Sequence, residues 1–199
     1  MLENEYKILI DETKFIHLFK QFEMDDSLEQ INYYYDTSNY SFYHKGITFR
    51  IRDSLRHKIL QIKYPNIAEN NYSSRIEKEF IIEELPLIIS QYDIRKYISD
   101  IVIDGDIKML GCLKTFRWIK RLENNVLLCF DKNSYLGILD YEIELEFDDY
   151  LIDISHVFDY LGIQPANSKG KYSRFIEKYL SLQKSDKSKE EGNRFIKSY

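Results

Sequence analysis

Alternation of apolar and polar residues runs through most of this chain, broken by a few stretches of helical period. Residues 2–10 place Glu3, Glu5 and Lys7 on one face of an extended strand and Leu2, Tyr6 and Ile8 on the other. The same period predicts strands near 29–36, 47–53, 57–64, 75–83, 113–123, 126–132 and 139–147. Asp11 is placed to cap a helix over 12–23, with Phe15, Leu18, Phe19 and Phe22 on one face. Further helices are predicted from Pro86 to about Ser99, with Leu87, Ile88, Tyr92 and Ile98 against the sheet, and near 153–161 and 173–183. An aromatic stretch from Tyr40 to Tyr43 suits a short helix ending at Gly46, and Glu123-Asn124-Asn125 suits a hairpin turn. The Asn-rich residues 66–74 read as a loop. A single domain over 1–183 is expected, followed by a charged, mobile tail over 184–199.

On strand after strand the polar face carries charges of one sign. Arg50 and Arg52 oppose Ile47, Phe49 and Ile51, and Gln61 and Lys63 oppose Leu60 and Ile62. Glu77 and Glu79 oppose Ile76 and Phe80, and Arg117 opposes Phe116 and Trp118. Glu142, Glu144 and Glu146 oppose Tyr141, Ile143, Leu145 and Phe147. A sheet with one solvated and one core face explains alternation. It does not explain like charges two residues apart. Carboxylates so spaced lie roughly 6–7 Å from each other and repel by about 2 kcal/mol at an effective dielectric near 20. Setting acidic strands beside basic ones relieves the repulsion, and so does a site that takes metal cations and polyphosphate together. If the sheet closes on itself, the charged face becomes a lumen, and the apolar face needs the amphipathic helices as cover.

Composition narrows the class. At 199 residues with 44% hydrophobic and 15% aromatic content, the chain can bury a sizeable core, and its 17 Tyr and 12 Phe favour strands. A net charge of −5 gives no global attraction to nucleic acid or anionic membrane, so no nucleic-acid partner is expected. The first motif begins at residue 3 and no apolar run approaches a membrane span, so a cytoplasmic protein without membrane association is expected. Cys112 and Cys129 lack metal-ligand spacing and read as two free, half-buried thiols. His17, His44, His57 and His156 are scattered and read as surface or packing residues. Trp118 reads as core facing a helix, and the run Tyr33-Tyr34-Tyr35 as strand packing.

The ordered set Glu3-x-Glu5-x-Lys7, Tyr35-Asp36-Thr37, Arg50-x-Arg52, Gln61-Ile62-Lys63-Tyr64-Pro65, Glu77-x-Glu79, Thr115-x-Arg117, Asp131, Glu142-x-Glu144-x-Glu146 and Lys169 through Phe175 resembles the CYTH superfamily, the triphosphate tunnel metalloenzymes. The resemblance spans residues 2 to about 180. The run from Leu127 through Glu142 is most similar to the YjbK-type bacterial branch.

That resemblance implies an α+β fold: a closed eight-stranded antiparallel β-barrel with amphipathic helices packed outside. It implies a metal-dependent hydrolase of inorganic triphosphate or a related nucleoside or organic triphosphate, with Mg²⁺ or Mn²⁺ as cofactor and water attacking the terminal phosphate between two metals. Carried over by position, Lys7, Arg50, Arg52, Lys63, Arg117, Lys171 and Arg174 would grip phosphate. Glu3, Glu5, Asp131, Glu142, Glu144 and Glu146 would hold metal, with Glu3, Glu5, Lys7, Arg52 and Glu144 at the chemistry. Glu77 and Glu79 would hold metal or orient basic neighbours. Position 115 carries Thr where many relatives have a basic residue, and Arg121 shares the parity of Arg117. Two alternatives stay open: a non-catalytic module sensing nucleotide or polyphosphate, and a class IV-like adenylyl cyclase. Oligomeric state is left open.

Overall fold

The computed structural model describes residues 2–54, 57–66, 72–98, 102–148 and 153–196, with side chains described as far as residue 185. Nine strands form one antiparallel sheet: β1 (Leu2–Ile10), β2 (Asp26–Asp36), β3 (Thr48–Asp53), β4 (Lys58–Pro65), β5 (Ser73–Ile82), β6 (Ile88–Ile89), β7 (Ile107–Arg121), β8 (Leu127–Tyr135) and β9 (Ile138–Phe147). Their order is β2-β3-β4-β5-β1-β9-β8-β7-β6, and the pairing of β2 with β7 closes eight of them into a barrel that leaves β6 outside the ring. The helices are α1 (Glu12–Phe19), α2 (Ser41–His44), α3 (Gln91–Ile94), α4 (Ser155–Leu161) and α5 (Lys171–Ile196). The α+β closed-barrel architecture expected from the sequence is the one present. Among the described residues, no helix is long and apolar enough to cross a membrane.

Strand register relieves part of the charge problem that parity poses. Like charges follow one another along a strand; across strands several meet opposite charges, while Glu5 faces Glu146 and Asp131 faces Glu142. Lys7 lies opposite Glu144 on β9. Lys63 lies opposite Glu77 on β5. Arg117 lies opposite Asp131 on β8. Cross-strand pairing of opposite charges is the stabilising arrangement in a sheet.

The apolar parity faces outward and is covered. On one side Ile8, Leu128, Phe130, Ile143 and Leu145 pack under α1 and α4, with Phe15, Leu18, Val157, Phe158 and Leu161 closing the cluster. Trp118 joins it edge-on to Phe15 and Phe19. On the other side Phe49, Ile51, Leu60 and Ile62 pack with Phe42 of α2, Ile94 of α3 and Ile98. Asp11 accepts from the Lys14 backbone N–H at 2.8 Å, the N-cap expected for α1.

The start of α5 closes one end of the barrel. Tyr34, Leu113 and Tyr135 meet Tyr172, Phe175 and Ile176 there. Gly111 makes this fit possible: its φ is +147°, and a Cβ at that position would stand 3.1 Å from the Phe175 ring. Asp36 ties the same end together. Its carboxylate accepts from the backbone N–H groups of Thr37, Phe42 and Tyr43 and from the Tyr172 hydroxyl.

Several expectations need correcting. The segment from Pro86 is not one helix. Ile88–Ile89 pair with β7 as β6, and the helix spans only Gln91–Ile94, capped by Ser90, whose hydroxyl accepts from the Asp93 N–H. Two β-branched residues beside the extended start of β7 gain more from pairing than from one helical turn. Ile98 is buried as expected, but Leu87, Ile88 and Tyr92 are exposed; Ser99 lies outside the described residues. Helix α1 ends at Phe19, short of residue 23. Helix α5 runs well past residue 183, to Ile196. The predicted loop 66–74 ends in β5, and residues 67–71 lie outside the described ones. Both thiols are free, but Cys112 is exposed and Cys129 fully buried, so neither is half-buried.

Candidate active site

The barrel encloses a cavity of about 140 Å³ lined by Glu3, Glu5 and Lys7 of β1, Arg50 and Arg52 of β3, Lys63 of β4, Arg117 of β7, Glu144 and Glu146 of β9, and Lys171 of α5. The strand period delivers these residues: each is on the charged parity of its strand, and closure of the sheet turns that parity inward. Asp131 and Glu142 are fully buried and ion-paired to Lys171. Arg174 reaches Glu142 at 2.6 Å and Asp140 at 3.1 Å. The structure therefore brings all the sequence-predicted phosphate and metal residues to one charged core.

The carboxylates fall into two groups, Glu3 with Glu5 and Glu146, and Asp131 with Glu142 and Glu144. Within each group the oxygens lie within 4.8 Å of one another, and hard oxygen donors suit Mg²⁺ or Mn²⁺. The donor set thus fits a divalent cation. The second group is bridged by the Lys171 ammonium, 2.8 Å from both Asp131 and Glu144. In the first group, Glu3 pairs with Lys63, Glu5 with Lys7, and Glu146 with Arg117 at 2.5 Å.

Arg50 and Arg52 differ from the other cations predicted for the site. Arg50 Nε donates to Gln61 at 2.8 Å and Arg52 Nε to Asn32 at 3.1 Å. Among the described residues neither has an ion-pair partner. Lys7, Lys63, Arg117, Lys171 and Arg174 each have at least one. Burial, with Arg50 and Arg117 nearby, pulls Arg52 down to about 10. Glu77 and Glu3 offset only part of this, so the positive charge crowded here favours the approach of an anion.

Protonation follows from the same crowding. Burial raises Glu3, but Lys63, Lys7 and Arg50 overcome it and hold the carboxyl down at about 2. Burial pushes Glu142 up to about 7, against Lys171 and Arg174 and aided by Glu144 and Asp131. Glu144 is held well below the usual range, because Lys171, Arg117 and Lys7 outweigh its burial. Burial pushes the Cys129 thiol up, which removes it as a nucleophile at neutral pH.

Glu77 lies 3.4 Å from Lys63, and Glu79 accepts from Gln61, which itself holds Arg50. Their place is beside basic and polar neighbours rather than in either carboxylate group. Thr115 donates to Asn133 at 2.7 Å, and the side chain of Arg121 is at the exposed end of β7, so it does not replace a basic group at 115. Sequence reasoning missed Gln30, Asn32 and Tyr34, which also line the cavity. Their parity on β2 was the available signal, but uncharged side chains on an alternating strand do not stand out.

The family model of the CYTH domain matches residues 1–161. Among solved structures, a candidate adenylate cyclase from Bacillus halodurans is similar at 24% identity and a TM-score of 0.65, over 86% of this chain and 95% of that one. HpAC1 from Hippeastrum, a candidate adenylyl cyclase described with a dominant triphosphatase activity, is similar at 20% identity and a TM-score of 0.67, over 88% and 95%. PH1819 from Pyrococcus horikoshii OT3 is similar at 20% identity and a TM-score of 0.63, over 88% and 99%. At these identities the likeness shows the fold. Comparison with curated proteins gives no match.

Proposed function

The chain belongs to the CYTH domain family, and on that premise we propose that it is a metal-dependent hydrolase of inorganic triphosphate or a related small triphosphate. The observation that carries the reading is the pair of lumen guanidiniums, Arg50 and Arg52, without an ion-pair partner among the described residues, beside two groups of carboxylates. Positive charge without a counterion inside a barrel calls for an anion, and clustered carboxylates call for cations. A metal–polyphosphate complex supplies both.

In this reading Glu3, Glu5, Glu146, Asp131, Glu142 and Glu144 hold Mg²⁺ or Mn²⁺. A divalent cation, when bound, neutralises phosphate charge and activates the attacking water. Water adds to the terminal phosphorus, the bridging P–O bond breaks, and orthophosphate and diphosphate leave. Arg50 and Arg52 stabilise charge on the phosphoryl oxygens through planar, forked donors. Lys7, Lys63 and Arg117 hold the carboxylates in place and share in the phosphate grip. Lys171 and Arg174, beyond the family match, bring the first turn of α5 into the same site, so the functional unit is proposed as 1–183. The free thiols fit a reducing compartment such as the cytoplasm.

Cavity size favours a small substrate. Its volume of about 140 Å³ is below the roughly 300–1,000 Å³ of sites for drug-sized ligands, which serves a bare triphosphate better than the nucleotide a cyclase needs. The test is a purified-protein assay of phosphate release from inorganic triphosphate, ATP and other triphosphates. Release is expected with Mg²⁺ or Mn²⁺ and none in EDTA. Equal activity in EDTA rejects the chemistry, and cyclic AMP with diphosphate from ATP replaces it with cyclisation.

A further inference from the structure

Among the described residues, the Tyr34 hydroxyl at the lumen is a buried polar atom without a hydrogen-bond partner. Tyr34 is fully buried. Other tyrosines packed at the same end are satisfied: Tyr172 donates to Asp36 at 2.7 Å and Tyr135 to Asp140 at 2.9 Å. Tyr35, next in the chain, donates to the Pro86 carbonyl at 2.7 Å. Buried polar groups are nearly always hydrogen-bonded, so an exception calls for an explanation.

Packing alone does not supply one. The Tyr34 ring contacts Tyr172 and Phe175 at 4.9 and 5.0 Å between centroids, and Phe would make the same contacts without stranding a hydroxyl. Position supplies one. Tyr34 lines the cavity together with Arg50 and Lys171, and the β2–β3 register sets it directly opposite Arg50. Among the described residues, a guanidinium without an ion-pair partner stands beside a hydroxyl without an acceptor. An ionised phosphoryl group only accepts hydrogen bonds, and it satisfies both.

We infer that Tyr34 is a further substrate-contacting residue, its hydroxyl donating to a phosphoryl oxygen of the triphosphate held by Arg50. The inference rests on the triphosphate reading of the site. It adds a contact that neither the charged motifs nor the carboxylate groups reveal. It also explains why a full hydroxyl is kept where the rings alone would close the barrel end.

The test is Tyr34→Phe, which keeps the ring and removes one oxygen. Binding is measured by calorimetry with the non-hydrolysable bis-methylene analogue of inorganic triphosphate in Mg²⁺, alongside thermal melts with and without it. The variant is expected to melt, unliganded, at or above the wild-type temperature, because a stranded polar group is gone. It is expected to bind the analogue about tenfold or more weakly, with a smaller ligand-induced rise in melting temperature. Equal affinity in both proteins overturns the contact while leaving the triphosphate reading intact. A lower unliganded melting temperature overturns it too, because the hydroxyl would then have a partner within the protein. Failure of the wild type to bind the analogue overturns the triphosphate reading, and the contact with it.

Discussion

At the scale of single residues, the lumen separates charges that are internally matched from charges that are not. Arg52 is in the second class, with one neutral partner, Asn32, and no carboxylate among the described residues. Arg52→Ala is expected to cost roughly 1.5–3 kcal/mol of phosphate binding, about one to two orders of magnitude in kcat/KM. Arg52→Lys is expected to restore only part, since an ammonium lacks the planar fork. The unliganded melting temperature should barely move; a large fall would place Arg52 in the fold rather than the site. Glu142 gives a pH prediction with two opposite signs. Its carboxyl, raised from 4.5 to about 7 by burial first, must ionise to hold a cation, so Mn²⁺ affinity should rise with pH through about 7. Without metal, a folded pKa above the unfolded one means that folding takes up a proton. Its stability contribution is then full below 4.5 and lost as pH rises through about 7. Glu142→Gln should flatten both dependences, read by calorimetric titration and by denaturant melts at pH 5, 6, 7 and 8. Persistence of both slopes in the variant would assign them to another group.

Among the elements, α5 joins the barrel to the site. Asp36 accepts five hydrogen bonds, three from the backbone around α2, one from the Thr37 hydroxyl and one from Tyr172 of α5. Removing it strands several buried donors, so Asp36→Ala should destabilise by at least about 3 kcal/mol, and Tyr172→Phe by about 1 kcal/mol. Chemical denaturation measures both, and near-neutral values would show that the barrel end holds without this junction. The bond from Tyr172 to Asp36 is not readable along the chain, because 136 positions separate the two. What the sequence does reveal is parity. Period two assigns Glu3, Arg50, Lys63 and Glu144 to one face with no knowledge of strand order, and barrel closure then makes that face a lumen. Parity is silent on partners. The family resemblance places Lys171 near the phosphates, whereas the fold sets its ammonium among Asp131, Glu142 and Glu144. The apolar run after Pro86 fits helix and strand alike, and only the neighbouring start of β7 decides it. Tyr34 was hidden for a different reason: one tyrosine in a row of three looks like packing until its hydroxyl is found without an acceptor.

Across the whole molecule, an acidic protein of net charge −5 carries a lumen whose carboxylate groups are already countered by its own cations. Each cation that serves a carboxylate is to that extent withheld from phosphate, and the reverse holds. A divalent cation on Glu3, Glu5 and Glu146 takes one partner each from Lys63, Lys7 and Arg117; Lys63 keeps Glu77 and Arg117 keeps Asp131 and Glu144, but all three have more positive charge to turn to an anion. A triphosphate drawing those side chains away leaves three carboxylates to face a metal. The two ligands therefore prepare each other's sites, and thermodynamic linkage makes the effect reciprocal. The expected outcome is a small rise in melting temperature with Mg²⁺ alone or the bis-methylene triphosphate analogue alone, and a rise with both that exceeds their sum. Calorimetry should give at least about fivefold tighter Mg²⁺ binding in the presence of the analogue, and the same factor for the analogue in the presence of Mg²⁺. Lys63→Met removes one of the internal counterions. It should strengthen Mg²⁺ binding by itself and shrink the coupling, because one carboxylate then has no ammonium to give up. Strictly additive shifts in the wild type would mean that the internal ion pairs survive ligand binding, and that the cations of β1 and β4 serve only to hold the carboxylates apart.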